Sequence, residues 1–130
     1  MTPIRPDVPA ARASVVEARR AFLAGDRDKA RTLLDAVPGL LRDATAPEAA
    51  AVRLDAVALR AFHDGNLDRC LNAQAAALDV LRRIGDRRRV AEALIRDAGA
   101  RMIAGRPSVS ERLAEARREL PREGAVAQSR

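Results

Sequence analysis

The chain has no tryptophan or tyrosine, two phenylalanines, one cysteine and one histidine in 130 residues. Each scarcity removes a class of function. A single thiol, Cys70, forms no intramolecular disulfide, and Cys70 with His63 cannot complete a Cys/His zinc cage or a Cys-x-x-Cys redox pair. Without Trp or Tyr, only Phe22 and Phe62 remain to stack on nucleic-acid bases. No apolar run approaches the ~18 to 20 residues that span a membrane. The Pro-rich start "MTPIRPDVPAARAS" has no apolar stretch of the signal-peptide kind, so a reducing cytoplasm is expected. The glycines stand alone rather than in a phosphate-cradling cluster. Beyond the bare thiol and imidazole, no nucleophile, base and orienting group come together in the sequence, so neither catalysis nor a cofactor is expected.

Alanine and arginine are abundant instead. Ala accounts for 29 residues, whereas Leu, Ile, Val and Phe together supply 23% of the chain. So few large side chains can close a core only if backbones approach closely, which Ala-rich helices do and sheets do not. Of the 24 basic residues 23 are Arg, the net charge is +6 and the isoelectric point is near 11.2. The balance between 82 and 112 is the most basic, and "RRIGDRRR" places Arg82, Arg83, Arg87, Arg88 and Arg89 within eight positions. Such a run is either a patch for phosphate or acidic partners, or a solvated helix junction with Arg at the negative end of the dipole.

Helix punctuation predicts six helices in three pairs, over about 9–37, 47–84 and 86–120, between a flexible segment 1–8 and a flexible tail 121–130. Pro9 opens the first, Gly25 ends it, and Asp26 caps the second, whose Ala30, Leu33, Leu34 and Val37 form a stripe. "PGLLRDATA" is read as a connector. The third helix buries Leu54, Val57, Ala58, Ala61 and Phe62 up to Gly65. Asn66 caps the fourth, in which Gln74 interrupts an apolar face and calls for an interhelical partner ahead of the other reading, a ligand in the groove. Asp86 caps the fifth, with Val90, Leu94, Ala98 and Met102 up to Gly105. Ser108 and Glu111 have capping-box spacing before a stripe of Leu113, Ala116 and Leu120.

The glycines at 25, 65 and 105 are spaced by forty residues. Three residues before each stand Phe22, Phe62 and Met102; seven before, Ala18, Ala58 and Ala98; five after, the small residues Ala30, Cys70 and Ser110. A period of this size marks stacked helix pairs, each too small to bury its apolar face alone. This pattern, together with "LDVLRRIGDRRRVAEAL" at 78–94, resembles the tetratricopeptide repeat (TPR) in its longer-period bacterial form. The resemblance implies an all-α fold of three antiparallel pairs stacked as a short right-handed solenoid. It also implies a non-enzymatic protein-interaction module, an adaptor or regulatory domain of the bacterial cytoplasm, with the first helix of each pair lining a concave groove. By position the lining is Arg12, Val16, Arg19 and Leu23, then Asp55, Leu59 and His63, then Arg96 and Ile103. Apolar residues ringed by Arg suit an acidic helix or extended segment of another protein. Two other readings stand beside it: a nucleic-acid-associated regulatory domain using Arg82–Arg89, and a self-associating subunit using Val16 and Leu23.

Overall fold

The computed structural model describes residues 5–120, and these are all-helical, with no strand among them. Six helices of nine residues or more match the expected six: α1 (Val8–Leu23), α2 (Arg27–Asp35), α4 (Pro47–His63), α5 (Leu67–Ile84), α6 (Arg87–Ala104) and α7 (Val109–Glu119). A seventh, α3 (Val37–Leu41), is a single turn that takes Val37 from the expected end of the second helix, which stops at Asp35, and runs into the segment read as a connector. Val37 and Leu41 are fully buried against α1, so the turn sends two apolar side chains into the core while Pro38, Gly39 and Arg42 stay exposed. The tail at 121–130 and residues 1–4 lie outside the described residues. Asp7 and Val8, assigned to the flexible segment, belong to the body: the Asp7 carboxylate accepts from the Ala10 amide at 2.9 Å, and the Asp7 amide donates to the Leu40 carbonyl at 2.8 Å.

The three periodic glycines close three turns of one design. Gly25, Gly65 and Gly105 have φ of 82°, 81° and 66°, the left-handed region that only glycine enters without strain. At each, the glycine amide donates to the carbonyl three residues back (Phe22, Phe62, Met102). The following amide donates to the carbonyl five residues back (Ala21, Ala61, Arg101). These paired bonds satisfy the last carbonyls of the helix. In the first two turns the next residue also starts the following helix, Asp26 accepting from the Lys29 amide and Asn66 from the Arg69 amide. Reversal within three residues lets the two helices of a pair meet along their length.

Five of the six small positions are sealed: Ala18, Ala30 and Cys70 at 0%, Ala98 at 1% and Ala58 at 3% exposure. The sixth, Ser110, is exposed, because the third turn ends differently. Arg106 replaces the capping Asp or Asn, and Pro107 and a left-handed Ser108 (φ 78°) follow, so Ser108 forms no side-chain cap and the capping box does not assemble. Consequently the third pair has a second helix, α7, with fewer buried side chains than α2 or α5. Met102, Leu113 and Leu120, expected in its apolar stripes, are exposed, and Ala116 is the one buried side chain of α7.

Packing runs α1 on α2 and α4, α4 on α5, α5 on α6, and α6 on α7. Covered on two sides, α4 buries Ala49, Ala51, Val52 and Leu59 as well as Ala58 and Ala61, while Leu54, Val57 and Phe62 are half-buried. Polar clamps tie neighbouring helices. Asp97, buried at 3% exposure, accepts from Arg101 at 2.7 Å and lies 3.2 Å from Arg112 of α7.

A Cβ built on Gly65 meets no atom within 4 Å, so any cost of substitution there is backbone strain alone. Gly65→Val is expected to destabilise the fold by about 1–2 kcal/mol, whereas Gly39→Ala, in helical φ within α3 and equally open, leaves it unchanged or slightly more stable. Chemical denaturation of both variants checks this; equal stability of Gly65→Val and the parent would contradict the left-handed turn.

Candidate functional site

The inner sides of α1, α4 and α6 converge on a cavity of about 80 Å³, with α5 beneath. Successive helical residues turn by ~100°, so Arg12, Val16 and Arg19 share one face of α1, Ala51, Asp55 and Ala58 one face of α4, and Arg89, Glu92 and Arg96 one face of α6. Five of the nine residues placed in the groove by the resemblance, Arg12, Val16, Arg19, Asp55 and Arg96, line this cavity.

The other four go elsewhere. Leu59 is in the core, 7% exposed, because α4 is covered on the side where it was expected to be free. His63 stacks on Phe22 of α1, ring centroids 3.7 Å apart and nearly parallel, and meets Phe62 edge-on at 5.1 Å. It thus tethers the ends of two helices instead of facing a ligand. Leu23 (82%) and Ile103 (64%) are exposed near the C-terminal ends of α1 and α6, outside the cavity.

Charge is the cavity's principal feature. Arg19 donates to Asp55 at 2.8 Å, and Arg96 reaches the same carboxylate oxygen at 4.0 Å, so one anion serves cations from two helices. Burial pulls the Arg96 guanidinium below its ordinary range, with the Asp55 charge opposing the shift. Arg89, 12% exposed in its side chain, donates to Glu48 at 2.6 Å. Four arginines on the lining face two carboxylates, Asp55 and Glu92. Gln74 of α5 also lines this space, and its Oε1 is buried without a protein donor among the described residues, contrary to the interhelical bond expected for it. A buried unsatisfied carbonyl costs about 1–3 kcal/mol.

The arginine run at 82–89 is dispersed by the fold. Arg82 pairs with Glu115, Arg87 with Glu119 at 3.2 Å and Arg88 with Glu92 at 3.8 Å, while Arg89 turns into the cavity. Arg83 donates to the Asp79 carbonyl at 3.4 Å. Further along, Arg106 pairs with Asp68. Carboxylates distant in sequence therefore meet the local surplus. Arg89 is not read as groove lining in the sequence; its place two turns before Arg96 on the same face of α6 is a usable signal.

Cys70 is wholly buried, and desolvation, then Asp97, pushes its thiol up to about 11, which leaves it protonated and unreactive at neutral pH. Among the described residues no group of three or more His, Cys, Asp or Glu could hold a metal ion, and no helix is long and apolar enough to cross a membrane. Comparison with known proteins finds no match to a family model, a curated protein or a solved structure.

His63 provides a pH signature of the α1–α4 tether. Its pKa is lowered by burial first and then by Arg27 and Arg19, against an opposing Asp64. The folded state therefore favours the neutral ring. The stability this contributes is complete above the unfolded value of 6.5 and is lost as pH falls through the lowered folded value. The parent is expected to lose stability from pH 6.5 toward about 5, where carboxylates begin to titrate. His63→Phe, which keeps a ring on Phe22, should show a flatter profile in urea denaturation; identical profiles would contradict the assignment.

Proposed function

We propose that the protein is a non-enzymatic, TPR-like interaction module whose α1–α4–α6 face takes an acidic segment of another protein. The observation that carries this reading is the convergence of three first helices on one cavity with a surplus of guanidinium and a buried, unsatisfied amide oxygen. The cavity's size suits one side chain of a docked segment. A partner carboxylate would join the Arg19–Asp55–Arg96 cluster, where Asp55 alone serves two cations, and a partner hydroxyl or amide N–H would satisfy Gln74 Oε1. Exposed Arg12 and Val16 extend the contact beyond the cavity. The helix-pair order, with α1 packed on α4 and the ion pairs Arg19–Asp55 and Arg89–Glu48 linking the three first helices, supports a short solenoid of the kind the repeat resemblance implies.

Self-association is a second reading, favoured by one observation: Leu23, 82% exposed, lies two turns beyond exposed Val16 on the same side of α1 and outside the cavity. Nucleic-acid binding ranks behind these, since Arg82, Arg87, Arg88 and Arg89 of the run each have a carboxylate within 4 Å.

The readings separate by mutation. With a partner isolated by affinity capture on the intact chain, Arg12→Glu combined with Arg96→Gln is expected to weaken binding at least tenfold, on the order of 1.4 kcal/mol, with the helical melt retained. Leu23→Glu should leave that partner bound and, if the second reading holds, shift light scattering from oligomer to monomer. Undiminished capture by the folded double variant would place recognition elsewhere.

A further inference from the structure

A far larger cavity, about 490 Å³, opens on the other side of α4. At ~100° per residue, Arg53, Val57, Arg60 and Asp64 point roughly opposite to Asp55, so this space is separate from the groove and carries an inference independent of the function proposed above. Its origin is local. The second helix of the first pair, α2, has nine residues against eighteen in α5, and the chain then turns off through α3. The space between α2–α3 and the start of α5 is left open, walled by Leu34, Val37 and Pro38 on one side and Ala56, Val57 and Ala61 on the other.

The polar lining is cationic. Arg60 is neutralised by Asp35, and Asp64 by Arg31 at 3.0 Å. Arg53 donates to the carbonyls of Ala44 at 2.6 Å and Arg42 at 3.0 Å, acceptors that fix its position but leave its charge uncompensated. Arg69, exposed at the start of α5, likewise has no carboxylate within 4 Å among the described residues. An apolar chamber with two uncompensated guanidiniums is complementary to an amphipathic anion, and its volume lies within the roughly 300–1,000 Å³ of small-molecule sites.

We propose that this cavity binds a small amphipathic carboxylate, its hydrocarbon body against the Leu34, Val37 and Val57 walls and its anionic head toward Arg53 and Arg69. A bare inorganic anion would leave the apolar walls without a partner. A neutral hydrocarbon would leave the guanidiniums without one.

Titration of the intact chain with decanoate, followed by methyl NMR and calorimetry, tests this, with 1-decanol and acetate as the two half-ligands. The expected result is saturable one-to-one binding that moves the Leu34, Val37 and Val57 methyls, with decanol and acetate each at least about tenfold weaker. Arg69→Gln, an exposed position that leaves the fold intact, should weaken decanoate by about tenfold, and Ala56→Leu should block it by filling the chamber. Absence of saturable decanoate binding would overturn the proposal, as would decanol binding equally well, shifts centred on Val16 and the groove, or unchanged affinity in Arg69→Gln. Should Ala56→Leu fail to fold, Arg69→Gln and the half-ligands decide the outcome by themselves.

Discussion

The structure depends on one backbone constraint, the left-handed residue that ends a helix and reverses the chain within three positions. Gly25 and Gly65 meet it with φ near 80°, and each turn hands its last amide to a carbonyl five residues back while its Asp or Asn begins the next helix. Because the reversal is this short, the helices of a pair lie close from their first turn. Closeness then dictates small residues on both sides, and Ala18 with Ala30, and Ala58 with Cys70, are sealed there. Where the turn changes, at Arg106-Pro107-Ser108, the same logic runs in reverse: Ser110 is exposed, Met102 loses its cover and α7 buries one side chain.

A core built on alanine leaves little apolar area per residue, and charge helps hold the helices in register. Exposed ion pairs contribute only about 0–1 kcal/mol each, so their number is no measure of stability. The pairs of low exposure act differently. Asp97 between Arg101 and Arg112, and Asp55 between Arg19 and Arg96, each fix cations from separate elements on a single carboxylate, and misregister would strand a charge away from water. Most arginines of the 82–89 run thus meet carboxylates of this chain, while the net charge of +6 remains.

The two faces of α4 have different chemistry for a geometric reason. Toward α1 and α6 the neighbouring helices are full length and close the space to a slot for a side chain. Toward α2 and α3 the neighbour is half as long and the space remains open. One helix therefore divides a small, charge-lined slot from a larger, more apolar chamber.

The helices themselves were legible in the sequence because their limits are set by local chemistry: Asp26, Asn66 and Asp86 at the starts, Gly25, Gly65, Gly85 and Gly105 at the ends, and a forty-residue period that fixes the pairing. Five of the positions that the repeat resemblance implied for the groove line the cavity between α1, α4 and α6. What only the tertiary structure decided were quantities that depend on residues far apart in the chain. Leu59 and Leu23 both read as apolar groove residues, yet one is sealed because α4 has neighbours on two sides and the other is bare because α1 is an edge. Arg82–Arg89 reads as a patch until Glu48, Glu115 and Glu119 arrive from other helices. The stretch from Pro38 to Leu41 reads as part of a connector, since Pro38 and Gly39 break the local pattern and the burial of Leu41 comes from α1. Local conformation is determined within a few residues of the chain, whereas burial and net field are sums over neighbours that the linear order does not contain.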